Sequence, residues 1–256
     1  MPETMPNLPE VVSREEWRES REALLEKEKE LTRLRDELNA ERRRLPMVEI
    51  AKDYRFRGPD GEATLLDLFE GRRQLIVYHF MWLWDEGRPR DEGCPSCSAG
   101  ADEVSDGLLE HLHARGTTLA FVSRAPWPEI DAYRAKRGWT FPFYSSHGSD
   151  FNYDFHVSFD EAVAPVEYNY RSATELEEAG LPVGAWEQPF DLHGHSVFLR
   201  VGDRVFHTYS MYARGAETVG GSYYWLDLTA LGRQEEWEEP EGRAADPGGP
   251  DPSFSA

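Results

Sequence analysis

The sequence predicts an α/β protein: a mixed, largely parallel sheet flanked by helices, with a long helical arm ahead of it. Three observations carry this. Apolar strand-like runs alternate with helical patterns between residues 74 and 137, which implies right-handed crossovers and a parallel sheet core. A hairpin signal, Gly202-Asp203, sits between two alternating segments near the end and adds antiparallel strands. A run without Gly or Pro from Ser13 to about Arg44 opens on the capping-box pattern Ser13-Arg14-Glu15-Glu16 and predicts one long helix. At 256 residues the chain is long enough for one well-buried domain with appendages.

The elements follow in order. Residues 1–12 are expected to be flexible, and residues 13–45 form the arm. Trp17, Leu24, Leu31, Leu38 and Leu45 repeat every seven residues, with Leu34 as an apolar partner and Glu28 and Glu41 near the seam. So narrow a stripe suits a helix lying across a neighbouring surface or a subunit contact better than an independent coiled coil. Leu45-Pro46 ends the helix, and residues 46–234 are expected to form the main domain. Within it, Met47 to Phe56 reads as a strand, Gly58-Pro59-Asp60-Gly61 as a turn and Leu65 to Phe69 as a short helix. Gln74 to Trp82 is a near-continuous apolar strand suited to a sheet centre, and Leu83 to Gly93 is a charged loop. Cys97, Ala101, Val104, Leu108 and Leu112 mark one helical face; Thr117 to Val122 is a second central strand and Pro128 to Arg137 a further helix. Residues 144–195 are irregular, a length that usually covers a site or hides elements. Ser196 to Val201 and Arg204 to Tyr209 form the hairpin, and residues 235–256 read as a disordered acidic tail.

Composition narrows the partners. A formal net charge of -20 excludes a nucleic-acid backbone and anionic membrane surfaces, both of which need a basic stripe. Only four of 28 basic residues are lysine, a composition that suits either a salt-rich cytoplasm or a GC-rich genome. No apolar run approaches a membrane span, and the start Met-Pro-Glu-Thr-Met-Pro lacks signal-peptide regions, so the cytoplasm is the expected compartment.

The chemistry concentrates in Cys94-Pro95-Ser96-Cys97, which holds both cysteines of the chain. A strand before and a helix after put the Cys94 thiol at a helix N-terminus, where free backbone N–H groups favour thiolate, and place Cys97 one turn inward. In a reducing compartment such a pair is catalytic or metal-binding rather than a staple. Two readings stay open. In the first, Cys94 attacks a disulfide or other electrophilic sulfur and Cys97 resolves the mixed disulfide; no cofactor is needed, but an external electron donor is. In the second, Cys94, Cys97 and His195 bind copper(I), within an aromatic surround of Tyr78, Trp82, Trp84 and Tyr209, as a copper-thiolate protein or an oxidase of a small substrate. Arg124 ends a parallel strand, where site residues collect, and suits a carboxylate or a thiolate. His79 reads as a core histidine, and His147, Asp150 and His156 as turn or cleft residues.

The order of these elements resembles the thioredoxin and peroxiredoxin superfamily. More narrowly, it is similar to a bacterial family of thioredoxin-like proteins of unknown function, through Arg-Arg-Leu-Pro (43–46), Tyr-His-Phe-Met (78–81), Gly-Cys-Pro-Ser-Cys-Ser (93–98), Val-Ser-Arg-Ala-Pro (122–126), Gly-Trp-Thr-Phe-Pro (138–142), Gly-Ser-Asp-Phe-Asn (148–152) and His-Thr-Tyr-Ser (207–210). The resemblance implies a thioredoxin-like sheet and redox chemistry at the CxxC pair. It also exposes two departures: Gly93 stands where thioredoxins carry Trp, and His193-Gly194-His195-Ser196 stands where a cis-proline normally faces the dithiol. Their absence argues against general protein disulfide reduction and for a small or thiol substrate. Thioredoxin-fold copper proteins that bring a histidine from a hairpin give His195 its place in the second reading. A third reading is a non-catalytic assembly module using the arm, which is also the expected surface for any homo-oligomer.

Overall fold

The computed structural model describes residues 8–219, 221–232 and 239, so the expected tail lies almost wholly outside the described residues. Those of residues 1–46 and 222–249 form one compact unit and those of 47–221 another. The first unit contains α1 (Arg14–Arg42) and α7 (Ser222–Leu226). Ser13 caps α1 reciprocally with Glu16, as the capping box predicts, and the helix stops two residues short of the expected end, ahead of Leu45-Pro46. No residue of α1 is buried. The stripe expected to pack on a surface is exposed in the single chain.

The second unit runs β1 (Val48–Glu49), β2 (Arg55–Gly58), β3 (Gly61–Thr64), β4 (Gln74–His79), β5 (Trp82–Asp85), β6 (Arg88–Gly93), α2 (Pro95–Asp102), α3 (Asp106–His113), β7 (Thr117–Ser123), α4 (Trp127–Arg137) and β8 (Phe143–Ser145). It continues with α5 (Phe151–Asp154), β9 (Ser158–Phe159), β10 (Glu167–Tyr168), β11 (Arg171–Ser172), α6 (Ala173–Glu178), β12 (Phe190–Asp191), β13 (Gly194–Val201) and β14 (Arg204–Tyr212). Eight strands pair in the order β1-β14-β13-β4-β7-β8-β2-β3. β4, β7 and β8 are parallel, and β13 runs antiparallel beside β4. The central order β7-β4-β13-β14, with the CxxC helix following β4 and a hairpin closing the set, is the arrangement of the thioredoxin fold.

Period-two burial along β4 separates two apolar layers. Leu75 and Val77 join Ala120, Val122, Phe151 and Phe198 on one face. Tyr78 packs with Phe121, Phe143, Cys97 of α2 and Ile130 of α4 on the other. A third cluster, including Val157, Phe159, Tyr168, Leu176 and Tyr212, organises much of the stretch that showed no periodicity.

Three local expectations change. The strand expected over 47–56 splits into β1 and β2, which pair with β14 and β8 respectively. The charged loop 83–93 is mostly a hairpin, β5 with β6, turning at Glu86-Gly87, both at positive φ. The single helix expected after Cys94 breaks at residues 103–105, where Ser105 caps α3 by accepting from the Leu108 N–H. Among the described residues no helix is long and apolar enough to cross a membrane.

Candidate functional site

The β5–β6 hairpin returns the chain to the end of β4, and the Cys94 N–H donates to the Met81 carbonyl at 3.1 Å. Gly93 is required by that return: its Cα lies under the Phe80 ring, and a Cβ there would collide with it. Cys94 occupies the N-cap of α2, with Pro95 at the first helical position, as the strand-to-helix junction predicts. Its carbonyl accepts from both the backbone N–H and the hydroxyl of Ser98, each at 2.9 Å. The Ser98 hydroxyl in turn lies 2.9 Å from the Tyr133 hydroxyl, which ties α2 to α4.

The two thiols are electrostatically unlike. The Cys94 thiolate accepts from the Cys97 thiol first, then from the backbone N–H groups of Cys97 and Ser96 and the Ser96 hydroxyl; against the opposing cost of burial these hold its pKa at about 6. Cys97 is buried, and burial followed by the neighbouring Cys94 charge pushes its pKa far up, offset in part by the Tyr78 hydroxyl and the Met81 N–H. Both thiols are free and Cys94 is the half-buried one. Tyr78 was expected only as part of an aromatic surround. Here it is a direct partner of Cys97, and burial keeps its own phenol protonated.

His195 stands opposite Tyr78 in the β13–β4 register, its ring edge-on to the Tyr78 ring at 4.7 Å. It is buried, its Nδ1 has no hydrogen-bond partner, and desolvation lowers its pKa to about 3. Tyr78 therefore touches both Cys97 and His195. Among the described residues no group of three or more His, Cys, Asp or Glu is arranged to hold a metal ion. Of the set expected for copper, Cys94 and Cys97 are hydrogen-bonded to each other, and His195 packs against Tyr78, the hydrogen-bond partner of Cys97. The nearest preceding proline, Pro189, is cis but lies before β12 rather than at the start of β13.

Arg124 is neither on the surface nor among the dithiol's hydrogen-bond partners. Its Nε donates to Asp191 Oδ1 at 2.8 Å, in a pair whose side chains are 9% and 2% exposed. Asp191 also accepts from the Trp84 indole N–H at 2.7 Å and the Ser158 hydroxyl at 2.6 Å, and the guanidinium lies 3.9 Å from the Trp84 ring centroid. Nη2 of Arg124 is buried without a hydrogen-bond partner. Arg124 and the dithiol both follow the C-terminal ends of neighbouring parallel strands, β7 and β4. Val122 pairs with His79 and accepts from Phe80 N–H; Arg124 follows two residues on, just past the end of β7, and Met81, whose carbonyl accepts from Cys94, follows β4. Trp84 packs into the same apolar layer as Cys94 and Tyr78. No sequence signal marked Asp191 or Ser158, since Asp191 is 67 residues from Arg124 and Ser158 is 33 from Asp191.

His79 is the core histidine expected: its Nε2 lies 2.8 Å from Ser196 Oγ, on the face away from the cysteines. His147 Nδ1 lies 3.3 Å from the Arg124 carbonyl, Asp150 pairs with Lys52, and His156 is half-buried beside Glu167.

The model of the bacterial protein family of unknown function DUF899 matches residues 6–246. The chain belongs to this family. Among curated proteins, none matches the DUF899 chain. Solved structures similar to it include peroxiredoxin Q of Xanthomonas campestris, 14% identical over 65% of this chain and 87% of that one, TM-score 0.40. The bacterioferritin comigratory protein of the same organism, solved in intermediate and ligand complexes bearing on alkyl peroxide reduction, is 14% identical over 68% and 92%, TM-score 0.41. A cysteine-to-serine mutant of Xylella fastidiosa PrxQ is 17% identical over 65% and 84%, TM-score 0.38. The fold assignment of the DUF899 chain rests on its own strand order.

Proposed function

We propose that this chain is a dithiol–disulfide oxidoreductase acting on a small disulfide, with Cys94 as nucleophile and Cys97 as resolving thiol. The observation that supports it is the asymmetry of the pair: a half-buried Cys94 with a pKa of about 6 beside a buried Cys97 pushed far up. Such a Cys94 is mostly thiolate at neutral pH and remains a competent attacking group.

Cys94 Sγ attacks one sulfur of the substrate disulfide; the new S–S bond forms as the old one breaks, and the first thiol leaves with a proton from water. Cys97 then attacks Cys94 Sγ, closing the intramolecular disulfide and releasing the second thiol, which takes the Cys97 proton. Two electrons pass from the dithiol to the substrate, and an external thiol reductant restores the pair. Tyr78 and the Met81 N–H hold charge on Cys97 Sγ as it deprotonates. Arg124, whose Nε holds Asp191 and whose buried Nη2 would have to be uncovered, is the cation we assign to a substrate carboxylate, which makes an anionic small thiol disulfide the preferred class.

The test is trapping. Cys97→Ser exposed to a small symmetric disulfide should accumulate one substrate half on Cys94, read by intact mass, while Cys94→Ser accumulates none. Absence of the adduct in Cys97→Ser, with the protein folded, refutes the assignment.

A further inference from the structure

The arm's exposed stripe has one occupant that its flanks select. α1 is a capped, continuous helix whose Trp17, Leu24, Leu31 and Leu38 are 50–58% exposed, with Leu34 equally open. An isolated helix of this length gains most of its stability from packing an apolar face, and this face is uncovered in the single chain. The flanks of the stripe differ in sign. The residues just before it are Glu16, Ala23, Glu30 and Glu37, three of them acidic; those four after it are Arg21, Glu28, Arg35 and Arg42, three of them basic. With the stripe at heptad position a, these are positions g and e.

We infer that α1 is a homodimerisation element that pairs in parallel with α1 of a second copy of this chain. In a parallel pair each g residue faces the partner's e residue five positions on, so Glu16 meets Arg21, Glu30 meets Arg35 and Glu37 meets Arg42 of the second copy, each twice by symmetry. In an antiparallel pair g faces g and e faces e, which sets Glu against Glu and, except at Glu28, Arg against Arg. The flanks therefore choose both the partner and the direction. The second row of the seam is weak, with Ser20, Lys27 and Glu41 around Leu34, so the association is looser than a full coiled coil's.

The experiment uses the full chain at concentrations up to about 100 µM, with mass measured by light scattering and sedimentation. The expected mass at the upper end is twice 29.4 kDa. Leu31→Glu, at an exposed position that leaves folding intact by circular dichroism, should return the monomer. Glu30→Arg should weaken the dimer about tenfold, since two facing pairs turn from attraction to repulsion. Adding Arg35→Glu to it should restore affinity. A monomer throughout, a dimer indifferent to Leu31→Glu, or a Glu30→Arg variant that binds more tightly each overturns the proposal.

Discussion

Replacing Cys97 separates the sources of Cys94 reactivity. The drop from the ordinary 9.0 to about 6 is worth about 4 kcal/mol of thiolate stabilisation. It changes the ionised fraction at pH 7 from roughly one part in a hundred to about nine-tenths. The Cys97 thiol is the largest contributor, ahead of the two backbone N–H groups and the Ser96 hydroxyl. Cys97→Ala deletes that donor alone, while Cys97→Ser keeps a hydroxyl in its place. The rate of Cys94 alkylation by iodoacetamide is followed from acid to alkaline pH, with thiolate absorbance as a second measure. Wild type should titrate with a midpoint near 6. Cys97→Ser should stay low, and Cys97→Ala should bind the proton at least about tenfold more tightly, leaving under about a tenth ionised at pH 6. A Cys97→Ala midpoint unchanged from wild type would show that the helix N-terminus acts alone and would refute the reasoning.

Four further outcomes are expected. If Arg124 receives anions beside Cys94, the ratio of Cys94 alkylation by iodoacetate to that by iodoacetamide should fall severalfold in Arg124→Gln, with little change in the iodoacetamide rate; an unmoved ratio removes Arg124 from the site. Copper(I) titration should give the same affinity in wild type and His195→Ala if the thiols bind the ion without the His195 ring that packs on Tyr78; a tenfold loss would support the three-ligand set. Gly93→Ala should lower stability by about 1–3 kcal/mol in chemical denaturation, since the buried Phe80 ring must move. His79, His193 and His195 have pKa values lowered by burial to about 3, 4 and 3; the unfolded chain binds their protons below its ordinary 6.5 and the folded chain does not, so stability should fall as pH drops from 6.5 toward 4. A flat profile there, measured with Cys94→Ser to remove the thiolate's own pH dependence, would contradict their neutral burial.

Features written in adjacent residues were legible in the sequence. The Ser13 capping box, the Gly202-Asp203 hairpin and the apolar β4 and β7 runs all depend on contacts within a few positions. So does the placing of Cys94 at the N-cap of α2, because a strand, Pro at the first helical position and a helical face lie in one short segment. The β5–β6 hairpin was hidden because β6 is charged and mostly faces solvent while β5 reads as a continuation of the apolar β4 run, so neither shows the alternation of a hairpin strand. Which side chains meet around the dithiol was decided by strand register. The β4–β13 pairing sets Tyr78 against His195 and leaves its hydroxyl for Cys97, and the fold carries Asp191 across 67 residues to Arg124 and 107 to Trp84. A period-two strand states which face a residue takes but not its neighbour on the next strand, so the dithiol was readable locally and its partners only in three dimensions.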